Sequence, residues 1–330
     1  MANLAISAVC NQNCPYCFTL DHRKHLASHR DFLAVQDFES RLDFLKRSAI
    51  DEARLMGGEP TLHPQFDGLV KRAREAGFKI VVFSNGLMPE KALTCLASLP
   101  VAECTVLVNV NDPGIASEGS HARRYATIER LGKRVLLGFN IYQPNFRLDF
   151  LLPIIAETSC RPAIRLGMAQ PCLSGANRYI HPRQYVAIGA RIASFARVAA
   201  QRGVRLEFDC GFVRCMFADR DLETLKATGA DVDWRCNPIL DVDIAGQIIH
   251  CYPLSELGSL PLTGESDAPT LRNAFLSRTR PYRQAGVFQE CSSCSFKACG
   301  ECTGGCLAVT LRRFRHTPFS LAVPLQEVAR

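Results

Sequence analysis

Cys10-Asn11-Gln12-Asn13-Cys14-Pro15-Tyr16-Cys17 is the stretch from which the rest of the chain is read. It follows directly on Leu4-Ala5-Ile6-Ser7-Ala8-Val9, an apolar run that reads as a buried strand. A strand ending in a tight cysteine loop aims three thiolates at one small volume. Such donors suit a soft metal or an iron–sulfur cluster. Three is one short of the usual four, so a cluster held there keeps one iron open to another ligand. The alternative is a structural zinc site completed by His22 or His25.

The chain has 330 residues, 47% hydrophobic and 22% charged, a globular composition long enough for one large domain or two ordinary ones. Its sixteen cysteines would suggest disulfides in a small secreted protein. Met1 to Val9, however, has no basic n-region and too short an apolar segment for a signal peptide. No stretch has the length of a membrane span. The expected compartment is a reducing cytoplasm, where clustered cysteines mean metal or catalysis. The formal charge of +7 is spread along the chain apart from Arg312, Arg313 and Arg315. Scattered basic residues read as solvated faces rather than as a nucleic-acid patch.

Outward from the loop, apolar runs alternate with helical periodicity. Asp21 to Asp31 reads as a loop, and Val35, Phe38, Leu42 and Leu45 mark a helix over about Gln36 to Ser48. Ala53 to Met56 is a strand running into Gly57-Gly58-Glu59-Pro60. A helix around Phe66 to Ala73 ends at Gly77, and Phe78 to Phe83 is a strand buried on both faces that stops at Ser84-Asn85-Gly86. Thr105 to Val110, Val135 to Ile141, Ala163 to Met168 and Val204 to Phe208 continue the strands. Between them come helices over His121 to Leu131, Leu148 to Glu157 and around Tyr185 to Phe195. This is the pattern of parallel βαβ units, an α/β fold closed as a barrel or left as an open sheet. In either case function gathers at the carboxyl ends of the strands. The cysteine loop, Gly57 to Pro60, Ser84 to Gly86 and Asn109 to Asn111 all fall at such ends and are expected on one rim.

Near residue 210 the pattern changes. Cys210, Cys215, Cys236, Cys251, Cys291, Cys294, Cys299, Cys302 and Cys306, nine of the sixteen, lie from there on. Ile239 to Cys251, with Gly246 in the middle, reads as a β-hairpin, and Gly258 to Pro269 as a loop. Weak apolar periodicity implies a small domain stapled by metal centres. The expected division is 1–210 and 211–330, with the boundary between about 203 and 233.

The opening loop, C-x3-C-x2-C with Tyr16 before the last cysteine, resembles the signature of the radical S-adenosylmethionine (SAM) enzymes. Gly57-Gly58-Glu59-Pro60 resembles that family's second motif. The resemblance covers about residues 3 to 210 and implies a partial (β/α)6 barrel. It implies a 4Fe–4S cluster on Cys10, Cys14 and Cys17 whose fourth iron takes the amino and carboxylate groups of SAM. An electron passed to the sulfonium then yields methionine and a 5′-deoxyadenosyl radical, which abstracts hydrogen from a substrate. On this reading Gly57 and Gly58 let the backbone approach the methionine moiety, with Pro60 closing the motif, and Glu59 or nearby carbonyls meet its ammonium. Tyr16 sits near the adenine, and Ser84, Asn85, Asn109 and Asn140 contact the methionine or ribose.

Cys236-x9-Gly246-x4-Cys251, then Cys291-x2-Cys294 and Cys302-x3-Cys306, resemble the SPASM domain, the auxiliary-cluster extension of that superfamily, or its shortened twitch variant. Two departures stand out: Cys299 is an extra cysteine, and none follows Cys306. The resemblance implies one or two auxiliary 4Fe–4S clusters. With two, Cys291, Cys294, Cys299 and Cys302 hold one, while Cys236, Cys251 and Cys306 hold the other with Cys215 or Cys210. A zinc ribbon on Cys291 to Cys302 satisfies the same spacing. Cys95, Cys104 and Cys160 read as buried small residues; Cys172, after the sixth strand, reads as such or as a hydrogen-atom donor.

The expected substrate is a peptide undergoing crosslinking, epimerisation or oxidation, with a small metabolite as the alternative. The expected reductant is a flavodoxin or ferredoxin. Peptide maturases usually carry a leader-binding domain before the barrel. A chain starting two residues before its first strand is expected to bind any leader otherwise. A zinc protein interacting with nucleic acid is the competing class.

Overall fold

The long apolar runs become seven strands lying side by side in chain order, all parallel. They are β1 (Asn3–Ser7), β2 (Glu52–Gly57), β3 (Lys79–Ser84), β4 (Cys104–Asn109), β5 (Val135–Ile141), β6 (Ala163–Met168) and β7 (Arg205–Phe208). Each coincides with a strand expected from sequence. The computed structural model describes residues 1–20, 22, 30–111, 118–173, 177–230 and 232–314. His25, Arg315 and most of the predicted loop from Asp21 to Asp31 lie outside the described residues.

Helices cross between the strands: α1 (Val35–Arg47), α2 (Phe66–Glu75), α3 (Glu90–Ser98), α4 (Glu118–Leu131), α5 (Leu151–Glu157) and α6 (Tyr185–Gln201). On α1 the spacing of Phe38, Leu42 and Leu45 places all three on the sheet side, at most 1% exposed. Each such burial stabilises the fold by about 1.5–3 kcal/mol. Gly77 follows α2 with φ +90°, the left-handed turn that a helix-ending glycine makes without steric cost. The whole forms the partial-barrel α/β architecture expected.

The cysteine-rich half does not stand apart from this sheet. The expected hairpin is β8 (Asp241–Val242) against β9 (Gln247–Ile249), antiparallel, and β8 also pairs in parallel with β1. The expected loop from Gly258 to Pro269 in fact holds a short strand, β10 (Ser259–Pro261), antiparallel to β9, and the start of α8 (Ala268–Thr279). A preceding helix, α7 (Asp219–Ala227), packs on α6. The sheet thus has ten strands, ordered β10-β9-β8-β1-β2-β3-β4-β5-β6-β7. Ile248, Leu254, Phe275 and Leu307 join Leu4, Leu55 and Ile80 in one buried apolar cluster. The second half shares the barrel's core, which answers its lack of periodicity. No helix among the described residues is long and apolar enough to cross a membrane.

Candidate active site

The ends of β1 and β2 meet closely. Gly57 has φ +143°, and a β-carbon there would run into the Ser7 carbonyl. Gly58 N–H donates to that carbonyl (2.7 Å) and Glu59 N–H to the Val9 carbonyl (2.8 Å). The glycine pair therefore clamps the start of the cysteine loop and leaves bare backbone facing the cavity.

Within the loop, Cys17 N–H donates to the Cys14 carbonyl (3.1 Å), closing a turn. Amides from neighbouring strand ends reach its sulfurs. Asn85 Nδ2 lies 3.8 Å from Cys10 Sγ, and Asn111 Nδ2 lies 3.9 Å from Cys14 Sγ. Burial pushes the Cys14 thiol upward, while hydrogen bonds from Tyr16 and Asn111 pull it back. Tyr16 donates to Asn111 Oδ1 (2.5 Å) and rests against Tyr142, ring centroids 4.8 Å apart. Burial sets its phenol well above the usual range, so it stays a neutral donor.

Glu59 is fully buried and absent from the cavity lining. Its carboxylate accepts from Thr61 Oγ1 (2.6 Å), Ser84 Oγ (2.9 Å) and the N–H groups of Asn85 (2.8 Å) and Thr61 (3.3 Å). It braces the ends of β2 and β3 together, off the cavity in which the sequence reading expected an ammonium group. Pro60 is buried in the turn beside it and is likewise off the lining.

Three amides form a stair around the next part of the wall. Asn109 on β4 lies opposite Gly138 on β5, and Asn140 on β5 opposite Gly167 on β6. A β-carbon at Gly138 would stand 2.7 Å from Asn109 Oδ1, and one at Gly167 would stand 2.8 Å from Asn140 Oδ1. Gln170 similarly occupies the space above Gly211. Each glycine makes room for the amide of the strand before it. Gln170 is 4% exposed, and its Oε1 has no hydrogen-bond partner, so the wall offers a buried acceptor to a donor group. Sequence reasoning missed Gln170 and Gly167; the recurrent amide near the end of one strand with glycine in the next was the available signal.

All of this borders one cavity of about 270 Å³. Cys10, Cys14, Cys17, Tyr16, Gly57, Gly58, Ser84, Asn85, Asn109 and Asn140 line it, as predicted for a single rim. So do Cys210, Cys236, Cys251 and Cys306 from the second half. Arg54 and Arg165 also line it, their guanidinium carbons 5.2 and 5.4 Å from the Phe83 ring centroid. Arg165 pairs with Asp209 (2.7 Å) and Arg54 with Glu52 (3.2 Å). A groove of about 480 Å³ between Tyr179 and Arg313 contains no cysteine.

Burial is the main cause of a raised thiol in the second group. The Cys210 thiol is also pushed up by Asp209, Cys236 and Cys306, and the Cys251 thiol by Cys236, Cys306, Asp241 and Cys210. Cys306 rises to about 12 through burial and Cys236. Four cysteines thus share one pocket wall, with Cys210 rather than Cys215 beside Cys236, Cys251 and Cys306. Among the described residues no group of three or more Cys, His, Asp or Glu closes around a point as it would for a bound ion, so the cysteine groups are neighbourhoods, not finished coordination shells.

Other predicted residues lie off the cavity lining: Cys215, Cys291, Cys294 and Cys302, together with Cys172, Cys299 and His22. Cys172 is buried, is absent from the cavity lining, and its thiol donates to the Phe18 carbonyl (3.1 Å). Cys299 is exposed, its thiol 3.5 Å from the Phe296 carbonyl. His22, the zinc alternative's nearest ligand, is instead engaged by Asp243 (3.3 Å) and sits edge-on to Tyr252.

The donors fit an iron–sulfur cluster with SAM. Three thiols border one cavity, amides reach two of the sulfurs, a side-chain-free backbone lies beside them, and a buried acceptor is left over. Comparison with known proteins agrees. Residues 4–145 match the Radical SAM superfamily model. An S-adenosylmethionine-dependent nucleotide dehydratase of Selenomonas ruminantium is 38% identical over 85 residues, which are 26% of this chain and 29% of that protein. The match thus spans under a third of that relative's length. Among solved structures, native anSMEcpe with bound AdoMet superposes with a TM-score of 0.63 at 16% identity, covering 93% of this chain and 89% of that one. Streptococcus suis SuiB bound to precursor peptide SuiA gives 0.62 at 14% identity, covering 93% and 72%. Residues 4–145, under half of the chain, are thus similar to the radical SAM domain, and the fold is that of anSMEcpe with bound AdoMet.

Proposed function

We propose that this chain reductively cleaves SAM and uses the resulting radical to take a hydrogen atom from a peptide bound in the same cavity. The observation that carries the reading is that seven cysteines line one cavity: Cys10, Cys14 and Cys17 in the first half, and Cys210, Cys236, Cys251 and Cys306 in the second. A substrate between them lies within reach of a radical source and of an auxiliary, SPASM-like cluster. When bound, the first cluster with SAM supplies one-electron cleavage of the sulfonium to methionine and a 5′-deoxyadenosyl radical. The chain's own residues bind and orient. Asn85 and Asn111 donate toward the cluster sulfurs, Gly57 and Gly58 accommodate the methionine moiety, and Asn109, Asn140 and Gln170 meet polar groups of the nucleoside. Apolar Phe83, Leu107 and Met168 on the lining keep water from the reacting atoms.

A peptide substrate is supported by the extent of the likeness. The fold matches that of SuiB bound to precursor peptide SuiA over 93% of this chain. The nucleotide dehydratase matches over 26%. That shorter match lies with the alternative, a small metabolite. The formal charge of +7 suits an acidic electron donor of the flavodoxin or ferredoxin type in the cytoplasm.

The test is anaerobic incubation of the iron-loaded protein with SAM and dithionite, followed by quantification of 5′-deoxyadenosine. Formation that disappears in C10A/C14A/C17A supports the reading. No 5′-deoxyadenosine from protein with full iron content would sink it. A candidate precursor peptide that gains or loses mass in this mixture fixes the substrate class.

A further inference from the structure

Two arginines stand on the inward face of the strands, where apolar side chains normally fill a barrel. Side chains alternate along a strand, so Arg54 shares a face of β2 with Met56, and Arg165 shares a face of β6 with Gly167. All four line the cavity. Both guanidinium groups sit on one ring, that of Phe83, which belongs to a small apolar cluster with Leu107, Leu136 and Ala163. A ring beneath a guanidinium fixes its plane and leaves its N–H edge free to reach an acceptor. The two side chains are 15% and 20% exposed. Arg54 donates from Nε to Asn3 Oδ1 (3.2 Å) and from Nη1 to Glu52 Oε2 (3.2 Å). Arg165 Nη2 meets Asp209 Oδ2 at 2.7 Å. Neither guanidinium has another hydrogen bond among the described residues, so Nη2 of Arg54 and both Nε and Nη1 of Arg165 keep donors to offer. Burial makes the charge on Arg54 harder to hold, and Arg165 adds to this by repulsion.

We infer that Arg54 and Arg165 form a carboxylate clamp for the substrate, in which an acidic side chain or a terminal carboxylate of the peptide seats on their free N–H groups and sets which residue meets the radical. The inference rests on the proposed peptide substrate and names the group by which it is held. Two like charges that share one ring repel each other, and an anion between them removes that cost. A planar carboxylate suits the guanidinium fork, which offers paired donors along one edge. The surrounding charges set the size of the anion. Glu52 and Asp209 already offset the two arginines one for one. Asp241, also on the lining, accepts from Asn3 Nδ2 (2.7 Å) and the Tyr252 N–H (2.9 Å), and burial pushes it up to about 6. A wall so nearly neutral takes one more negative charge; a polyphosphate would set several against these carboxylates.

The experiment measures binding by ligand-observed NMR on full-length, iron-loaded protein with SAM and no reductant, so that nothing turns over. One pair of probes is N-acetyl-glutamate N′-methylamide and its glutamine counterpart. The other is N-acetyl-alanyl-alanine with a free and with an amidated terminus. Inorganic triphosphate is the fifth probe. One carboxylate is expected to bind about tenfold more tightly than its amide, and the pair in which this happens identifies the source as a side chain or a chain end. R165Q and R54Q should each bring that ratio to within about threefold. Carboxylates and amides bound alike by the wild-type protein overturn the clamp, as does a preference that survives intact in R165Q. Triphosphate bound where neither carboxylate binds overturns it too. The comparison within the wild type stands even where R54Q, which loses its ties to Asn3 and Glu52, does not fold. The radical reading fails separately, through absence of 5′-deoxyadenosine once dithionite is added to the intact enzyme.

Discussion

The carboxylate of Glu59 accepts the backbone N–H of Asn85 at 2.8 Å, so the loop after β2 holds the loop after β3 in place. Asn85 passes this on: its side chain donates to Asn11 Oδ1 (2.8 Å) and reaches toward Cys10 Sγ. Replacing Glu59 by Gln leaves one acceptor oxygen where two are used and turns an NH2 toward buried donors. Each unmet donor costs about 1–3 kcal/mol. E59Q is expected to lower the urea midpoint by that order and to load less iron at the Cys10 loop. Equal midpoints and equal iron would show that the brace is unimportant.

Gly167 and Asn140 are coupled across β5 and β6. A G167A β-carbon, 2.8 Å from Asn140 Oδ1, forces the amide out of its seat. If that amide binds SAM, affinity falls about tenfold, or 1.4 kcal/mol. N140A should cost a similar amount, and N140A/G167A should cost little more than N140A alone, because the displaced group is already gone. Isothermal titration with SAM on the iron-loaded protein measures this. Additive losses would mean that Gly167 acts through something other than Asn140.

Much of this was legible in the sequence because the signals are local. Runs such as Ile80 to Phe83 and Val106 to Val110 are apolar and β-branched enough to mark strands buried on both faces, and cysteine spacing within eight residues defines a loop by itself. Relations across long separations carry no such signal. β8 pairs with β1, with Asn3 donating to Asp241 (2.7 Å) across 238 positions, and nothing in either short segment announces the other. Glu59 shows a second kind of ambiguity: a glutamate after two glycines reads equally as a ligand-binding group or as a brace, and only its burial decides.

His63 is the titrating group best placed to show a pH dependence away from any cysteine. Its Nε2–H donates to the Leu33 carbonyl (2.8 Å) and its Nδ1 accepts the Gln65 N–H (3.1 Å), so the folded state wants it neutral. Burial holds its pKa below the usual 6.5 despite the opposing effect of Leu33. The unfolded chain therefore binds the proton more readily. This contribution is present above about pH 6.5 and is lost as pH falls through the folded value. The urea midpoint of the apo protein should drop between pH 7.5 and 5.5, and H63Q should show a shallower drop. An unchanged slope would place the pH dependence elsewhere.

Tyr16 tests whether the aromatic ring or its hydroxyl matters to the cysteine loop. Its hydroxyl orients Asn111, whose Nδ2 in turn faces Cys14 Sγ at 3.9 Å. Y16F keeps the stacking on Tyr142 but frees the Asn111 amide to rotate. Losing a buried neutral hydrogen bond costs about 1 kcal/mol, a modest change in stability. The effect on the cluster is expected to be larger in kind: a sulfur that loses an amide donor becomes more electron-rich, which lowers the reduction potential. Y16F should therefore bind a full complement of iron yet need a stronger reductant, while Y16A also loses the ring contact and with it some of the iron. Redox titration followed by EPR reads both effects. An unchanged potential in Y16F would mean that Asn111 holds its orientation without the tyrosine.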